Sequence, residues 1–337
     1  MTVTGAGPDA EVARLAAGLG LTGDALAQLR GLAEADAPST PVDLADWASG
    51  ADPEAVLARL GLSDDDRRDT LANRPDPVRH PGLWWLLERC HHQLVRQMGS
   101  TGPLPPWPDL PAATGAVGRF LYVWAFLATL PAVRRYHAGR GIPDADSWPS
   151  LAVLGAQLTN RRALYGDGGL HTQNWVTHHF RGAIYALDRL HFERQRCWFD
   201  AQDQGGPAPG EPVLGLHIPE GRLTPESVDA ALDRARAFFR AHYPDEPYRF
   251  ATCVSWVLDP QLTQYLAADT NIIRFQQRFT LLPEADKDDS ATVVEFLFKR
   301  PLAELATLPR ATTLQRAVID HIHSGRPWKF RTGWFPL

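Results

Sequence analysis

The sequence predicts an α+β (mixed α/β) protein, in which a helical N-terminal half precedes a mixed, mostly antiparallel sheet with flanking helices. Three observations lead to this prediction. Ala- and Leu-rich segments with a helical period fill the first half of the chain. Short apolar or alternating segments bounded by Gly and Pro begin after the Gly-rich turn at 165–169. A strand, a capped helix and a second strand follow one another at 212–258, as in a crossover unit.

In the N-terminal half, apolar periodicity and capping residues predict a series of helices. Asp52 followed by Pro53 is typical of a helix start, and Asp146 or Ser147 is suited to cap another. The predicted helices are 9–36, 52–62, 81–98, 114–130, 132–138 and 148–159.

The C-terminal half alternates between strand and helix patterns. A helix at 172–180 precedes a half-exposed strand from Leu190, which is predicted to form a hairpin with the strand at 213–218. Thr224 and Pro225 open a helix that keeps its period to about residue 241. The remaining predictions are strands at 250–258, 272–281, 292–298 and 328–335, and helices at 261–266 and 312–323.

Composition limits the classes of protein that fit. The 337 residues suffice for two domains, which we predict at 1–155 and 156–337. A net charge of −5 argues against a nucleic-acid partner. Three widely spaced cysteines and the lack of a signal peptide predict a cytoplasmic protein. The longest apolar run, near 120–130, is too short to span a membrane, so no membrane partner is expected.

Several motifs resemble a known family. The chain looks like a two-domain actinobacterial acyltransferase, with an N-acyltransferase N-terminal domain at 1–155 and a domain similar to the GCN5-related N-acyltransferases (GNAT) at 156–337. The motifs are Leu-His-Phe-Glu-Arg at 190–194, Leu-His-Ile-Pro-Glu-Gly at 216–221, Cys-Val-Ser-Trp-Val-Leu-Asp-Pro at 253–260, Asn-Ile-Ile-Arg-Phe-Gln-Gln-Arg-Phe at 271–279 and Trp-Lys-Phe-Arg-Thr-Gly-Trp at 328–334.

This resemblance implies a reaction and a donor. An acyl group would pass from an acyl thioester, either acyl-CoA or an acyl carrier protein, to an amine of a small molecule or peptide by direct attack, without a metal. Coenzyme A would lie between the strands at 213–218 and 250–258, with its pyrophosphate at the start of the next helix. The predicted cofactor-binding residues are Ile218, Gly221, Arg222 and Thr224.

Candidate catalytic residues lie near the ends of these two strands. His217 is the predicted base, because imidazole titrates near neutral pH. The resemblance implies a tyrosine donor in the region of Tyr265, so Tyr265 or Ser255 is the predicted proton donor, and Asp259 would orient or replace the histidine. Cys253 shares a strand face with Ser255, and both are expected to point toward the cleft with His217.

Two alternatives remain open from sequence. The Gly-rich phosphate loop typical of GNAT enzymes is absent, and Pro219-Glu220-Gly221-Arg222-Leu223-Thr224 occupies its place. The domain would then be a non-catalytic module that binds a ligand or a partner. Alternatively, Cys253 and His217 would form a covalent acyl-enzyme.

Overall fold

The chain folds into two compact units that divide between Ala183 and Ile184. This structure is a computed structural model and describes residues 8–34, 41–45 and 47–337. The predicted domain boundary at 155/156 falls inside the helix Val153–Tyr165. That helix and the next one, Gln173–Phe180, pack against other helices of the first unit, so the division comes later in the chain.

The first unit is helical. The segment 9–36, which was predicted to be helical, forms two helices, and its last two residues lie outside the described part of the chain. A helix at 64–72 was not predicted; Ser63 caps it, accepting a hydrogen bond from the Asp66 N–H. The helices are α1 Pro8–Leu19, α2 Gly23–Glu34, α3 Pro53–Arg59, α4 Asp64–Ala72, α5 Pro81–Arg96, α6 Gly115–Gly139, α7 Asp144–Leu151, α8 Val153–Tyr165 and α9 Gln173–Phe180.

Helix α6 forms the centre of this unit. It continues through Pro131, whereas the sequence predicted two helices separated there. Its residues from Phe120 to Leu127 are all buried. By length and composition alone the segment Ala112–Gly139 could cross a membrane, but 67% of its most apolar stretch is buried inside the protein. This burial is the packing of a core helix.

The second unit contains a six-stranded sheet in the order β1-β2-β3-β4-β6-β5. All neighbouring pairs are antiparallel except β3 and β4, as the mixed, mostly antiparallel prediction requires. The predicted hairpin between 190 and 213 is present as β2 and β3. The strands are β1 Ile184–Leu187, β2 Leu190–Arg196, β3 Pro212–His217, β4 Phe250–Ser255, β5 Thr280–Asp288 and β6 Lys329–Pro336. The helices are α10 Pro225–His242, α11 Asn271–Gln276, α12 Ser290–Phe298 and α13 Thr313–His323.

The parallel pair confirms the central prediction from sequence. Strands β3 and β4 are neighbours, and α10 connects them. They pair only at Leu214 with Ala251 and at Gly215 with Thr252. Strand β3 continues to His217 and β4 continues to Ser255, but their pairing stops at Gly215 and Thr252. The two strands therefore separate toward their carboxyl ends. A gap of this kind in a parallel pair is a common ligand position in α/β sheets.

Three predicted strand segments differ in the structure. The strand predicted at 250–258 ends at Ser255, and a 3₁₀ turn follows at Trp256–Leu258. The segment predicted as a strand at 272–281 begins as α11, whose Gln276 side chain donates to the carbonyls of Val257 and Asp259. The segment at 292–298 is helix α12, which Asp289 caps. Caps and tertiary hydrogen bonds therefore outweigh the β propensity of these apolar residues.

Candidate active site

Five polar side chains lie on one face of the sheet, and we call them the polar row. They come from three neighbouring strands, and strand register places them together: His191 lies opposite His217, and Gly215 lies beside Thr252. Since side chains alternate along a strand, every second residue of β2 and β3 faces the same way. The polar row consists of His191, Glu193, Gln195, His217 and Thr252.

Gly215 makes the polar row continuous. A Cβ at this position would lie 2.7 Å from the Gln195 side chain, which is closer than real contacts allow. The missing side chain lets Gln195 cross β3, so that its Nε2 donates to Thr252 Oγ1 at 2.8 Å. The row thus extends across β2, β3 and β4 near the point where β3 and β4 separate.

His217 and Glu193 form a hydrogen-bonded pair. His217 Nε2 lies 2.9 Å from Glu193 Oε2, and 33% of the histidine side chain and 13% of the glutamate side chain are exposed. An ionised carboxylate only accepts hydrogen bonds, so it selects the imidazole tautomer with the proton on Nε2. The other nitrogen, Nδ1, then carries the lone pair. The pair has the base-and-orienter arrangement of a general-base site.

His191 is the direct neighbour of this pair on β2. The pKa of His191 is lowered to about 4, chiefly by burial and to a smaller extent by the nearby charges of His217 and Arg189. His191 is therefore neutral near pH 7 and is a weak base. Its neighbour His217 is partly exposed and is the better candidate for the general base.

Arg189 shapes the loop predicted to bind phosphate. It occupies the two-residue turn between β1 and β2, where the preceding Asp188 has a φ of 54°. From this turn its Nε donates to the carbonyl of Arg222, and its terminal nitrogen donates to the carbonyls of Pro219 and Gly221, each at 2.8 Å. Three carbonyls of the loop are thus directed toward one guanidinium group.

This arrangement directs loop N–H groups outward. In a trans peptide the N–H points away from the preceding carbonyl, so the N–H groups of Glu220, Arg222 and Leu223 face away from Arg189. In the described part of the chain these groups donate to no protein acceptor. Lys299 lies 3.3 Å from the Glu220 carboxylate and compensates its charge. The loop can therefore present several donors to an anion.

The helix start contributes fewer donors than predicted. Thr224 is the N-cap of α10, and its hydroxyl accepts from the Ser227 N–H while Ser227 Oγ accepts from the Thr224 N–H. Pro225 has no N–H. Among the predicted cofactor residues, Gly221 and Arg222 lie in the outward-facing loop, Thr224 is occupied as a cap, and Ile218 directly follows β3. The loop, more than the helix end, offers the anion-binding groups.

Cys253 and Ser255 do not lie with His217, which corrects the prediction that all three face one cleft. Thr252 is on the same face as Gly215 and His217, so its neighbour Cys253 points to the opposite face. Cys253 is 3% exposed, and burial raises the pKa of its thiol to about 12. Such a thiol carries almost no thiolate at neutral pH, which argues against the covalent alternative.

The remaining predicted residues hold the end of β4 in place, and we call Ser255, Asp259 and Tyr265 the β4 junction. Ser255 Oγ accepts from the Val257 N–H. Asp259 is 1% exposed and accepts from the backbone N–H groups of Gln261 and Lys329.

Tyr265 is engaged in the same way. Its hydroxyl lies 3.1 Å from His321 Nδ1 and accepts from Arg326 at 2.8 Å. The hydrogen bonds given above for the β4 junction thus hold the chain after β4 in place, and none of them is made to the polar row.

Sequence reasoning missed His191, Glu193, Gln195 and Thr252 of the polar row, and it also missed Arg189. The alternation of Leu190-His-Phe-Glu-Arg placed the first two on one strand face, but the register that sets them against β3 was not visible. Arg189 gave no local signal, because its partners lie about thirty residues away. Within the described residues, no group of three or more His, Cys, Asp or Glu side chains is arranged to hold a metal ion.

Both units of the chain match known domain families. The profile of the N-acyltransferase N-terminal domain matches residues 51–182, and that of the GNAT-like C-terminal domain matches residues 184–335. A search of curated proteins finds no match.

Several solved structures are similar over nearly the whole chain. An acyltransferase in complex with decanoyl-CoA and teicoplanin is 42% identical, with a TM-score of 0.86 over 97% of this chain and 99% of that one. An acyltransferase in complex with CoA and 10C-teicoplanin is 41% identical, with a TM-score of 0.87 and the same coverage. A third, in complex with decanoyl-CoA, is 41% identical, with a TM-score of 0.86 and again the same coverage.

Proposed function

The chain belongs to the family of two-domain acyltransferases with an N-acyltransferase N-terminal domain and a GNAT-like C-terminal domain, and we propose that it transfers a fatty acyl group from acyl-CoA to an amine of a small-molecule acceptor. The observation that carries this proposal is the His217–Glu193 pair beside the separation of β3 and β4. Relatives crystallised with decanoyl-CoA and teicoplanin support a medium-chain donor and a teicoplanin-like acceptor.

In the proposed reaction, a neutral amine attacks the thioester carbonyl carbon and a C–N bond forms. His217 Nδ1 takes the proton that the amine loses, and Glu193 stabilises the resulting imidazolium. The tetrahedral intermediate then collapses, the C–S bond breaks and the coenzyme A thiolate leaves with the electron pair. The thiolate is protonated from His217 or from solvent. The products are an amide and coenzyme A, and no covalent enzyme intermediate is formed.

We propose that the loop 219–223 binds the pyrophosphate and that Arg189 acts as a positioning residue. The support is the set of three carbonyls held by its guanidinium and the outward N–H groups that result. Anions bind well to clustered backbone N–H groups. We also propose a cytoplasmic location, since all three cysteines are free.

The transfer is tested by incubating the protein with decanoyl-CoA and teicoplanin, with mass spectrometry of the acceptor and a thiol assay for released coenzyme A. We expect one decanoyl group per acceptor and one thiol per transfer. A donor series from acetyl-CoA to decanoyl-CoA, together with a decanoyl carrier protein, identifies the thioester used. Thiol release without acceptor modification would indicate a thioesterase instead.

The positioning role is tested with Arg189→Ala and Arg189→Lys. Because a lysine cannot reach three carbonyls at once, both variants should raise KM for the acyl-CoA by roughly tenfold, the cost of about one or two lost hydrogen bonds. The kcat at saturating donor should change little. Arg196→Ala, an exposed arginine of the same strand region that donates to Gly210, is the matched control. An unchanged KM with an unchanged melting temperature would contradict the role.

A further inference from the structure

A pocket of about 440 Å³ lies wholly within the N-terminal unit. Its walls are α3, α6, α7 and the segment that precedes α3. The volume is within the usual range for small-molecule sites, which is roughly 300–1,000 Å³. None of the residues proposed for acyl transfer lines it.

The floor of this pocket is apolar. Trp47, Val56 and Leu130 line it and are 5%, 6% and 3% exposed. Pro131 lies beside them, where it interrupts the backbone hydrogen bonding of α6. These side chains are fixed by the core below, because Trp47 packs edge-on against the buried Trp124. The pocket therefore offers a rigid apolar surface to a ligand.

The rim of the pocket is cationic. Trp148 has the Arg59 guanidinium 4.0 Å above its ring centroid and the Arg134 guanidinium 4.7 Å away. Both arginines pair with Asp144.

The third arginine of the rim differs from these two. Arg135 is exposed and has no acidic or carbonyl partner in the described part of the chain. The rim thus carries three guanidinium groups, and Arg59 and Arg134 share the single carboxylate of Asp144, although the whole protein has a net charge of −5. The local excess of positive charge favours an anion.

We infer that this pocket binds a small amphipathic carboxylate, with its apolar body on the Trp47 and Leu130 floor and its carboxylate on Arg135. A planar guanidinium pairs with a carboxylate through two parallel hydrogen bonds. Burial of an alkyl chain against the apolar floor adds the second source of affinity. This site would act independently of acyl transfer, and it accepts a free acid rather than a thioester.

The test uses sodium decanoate and the full-length protein presaturated with decanoyl-CoA, so that the donor site is occupied. Isothermal titration calorimetry should show binding of about one equivalent of decanoate. Arg135→Ala should weaken this binding by roughly tenfold or more, as expected for one charge-assisted interaction. Ala138→Trp should abolish it, because Ala138 lines the pocket and an indole would fill part of the cavity.

Matched variants serve as controls. Arg30→Ala removes an exposed arginine of α2, and Ala58→Trp places the same indole on the exposed side of α3, outside the pocket. Both should bind decanoate like the parent protein. Thermal melts establish that each variant is folded, and acyl transfer from decanoyl-CoA should be unchanged in all four.

Three results would overturn the inference. The first is absence of decanoate binding to the presaturated parent protein. The second is undiminished binding to Ala138→Trp, which would place the acid elsewhere. The third is equal affinity for decylamine or decanol, which would show that the arginines do not select a carboxylate.

Discussion

The polar row and the β4 junction both lie near the carboxyl ends of β3 and β4, yet their hydrogen bonding differs. In the polar row, His217 and Glu193 bond to each other and keep part of their surface exposed. In the β4 junction, Asp259 is 1% exposed and bonds to backbone groups that close the chain around it. A polar residue at a strand end is therefore a better candidate for catalysis when its side chain is partly exposed than when structural hydrogen bonds bury it.

The largest difference between the two groups is expected in catalysis. His217→Ala should lower kcat/KM for decanoyl transfer by roughly 10²–10⁴, the usual contribution of a general base. The melting temperature should stay close to that of the parent protein, because the side chain is partly exposed. Steady-state kinetics over a range of pH measures the effect. Less than a threefold loss would remove His217 from the mechanism.

For the β4 junction, the expected loss is in stability. Asp259→Ala should lower the free energy of unfolding by about 2–4 kcal/mol, since it leaves buried N–H groups unsatisfied. Urea denaturation measures this loss, and Asp269→Ala, at an exposed position nearby, is the control. The kcat of the folded fraction should remain near the parent value. A stable but inactive variant would instead place Asp259 in the catalytic site.

Within the polar row, Glu193→Gln separates charge from geometry. Glutamine can still accept the hydrogen bond from His217, but it no longer stabilises an imidazolium with a full charge. We expect kcat to fall by roughly ten- to a hundredfold, the difference between a charged and a neutral partner. Steady-state kinetics at saturating donor measures the loss. An unchanged kcat would mean that the pair is structural.

On the opposite face, Cys253→Ala should leave acyl transfer within about twofold of the parent and cost about 1 kcal/mol of stability for the lost buried volume. Mass spectrometry of the parent protein after incubation with decanoyl-CoA should find no acyl adduct on this residue. A stable acyl adduct at Cys253 would support the covalent mechanism. It would also place the reaction on the sheet face of Cys253 instead of the face of the polar row.

The smallest expected effect is the contribution of His191 to the pH dependence of protein stability. The pKa of His191 is lowered from 6.5 to about 4, chiefly by burial. Between these values the unfolded state binds more protons than the folded state, so stability falls as the pH falls through this range. His191→Asn should therefore make the decline of the melting temperature from pH 6.5 to pH 4 shallower. His323→Asn, at an exposed position, should leave the decline unchanged. A decline equally steep in both variants would contradict the assignment.

Local patterns in the sequence predicted much of the fold. Capping residues marked the start of α10, and apolar runs marked β3 and β4, because these signals depend on neighbours within a few positions. The segment 292–298 was predicted as a strand, but the cap at Asp289 and packing against α13 make it part of helix α12.

The site was harder to predict, because His191, Glu193 and His217 meet only through the register of two strands. The pairing register depends on both strands and on the turn that joins them, so it cannot be predicted from the residues of one strand alone.

Arg189 holds the backbone conformation of the loop 219–223 from outside the loop. In a Gly-rich phosphate loop, the glycines of the loop itself permit its backbone conformation. Here three carbonyls between Pro219 and Arg222 take their direction from a side chain in a different hairpin. We expect the loop sequence to tolerate substitution better than Arg189 does. Among relatives with dissimilar loops, an arginine at the β1–β2 turn should therefore be a better marker of donor binding than any motif within the loop.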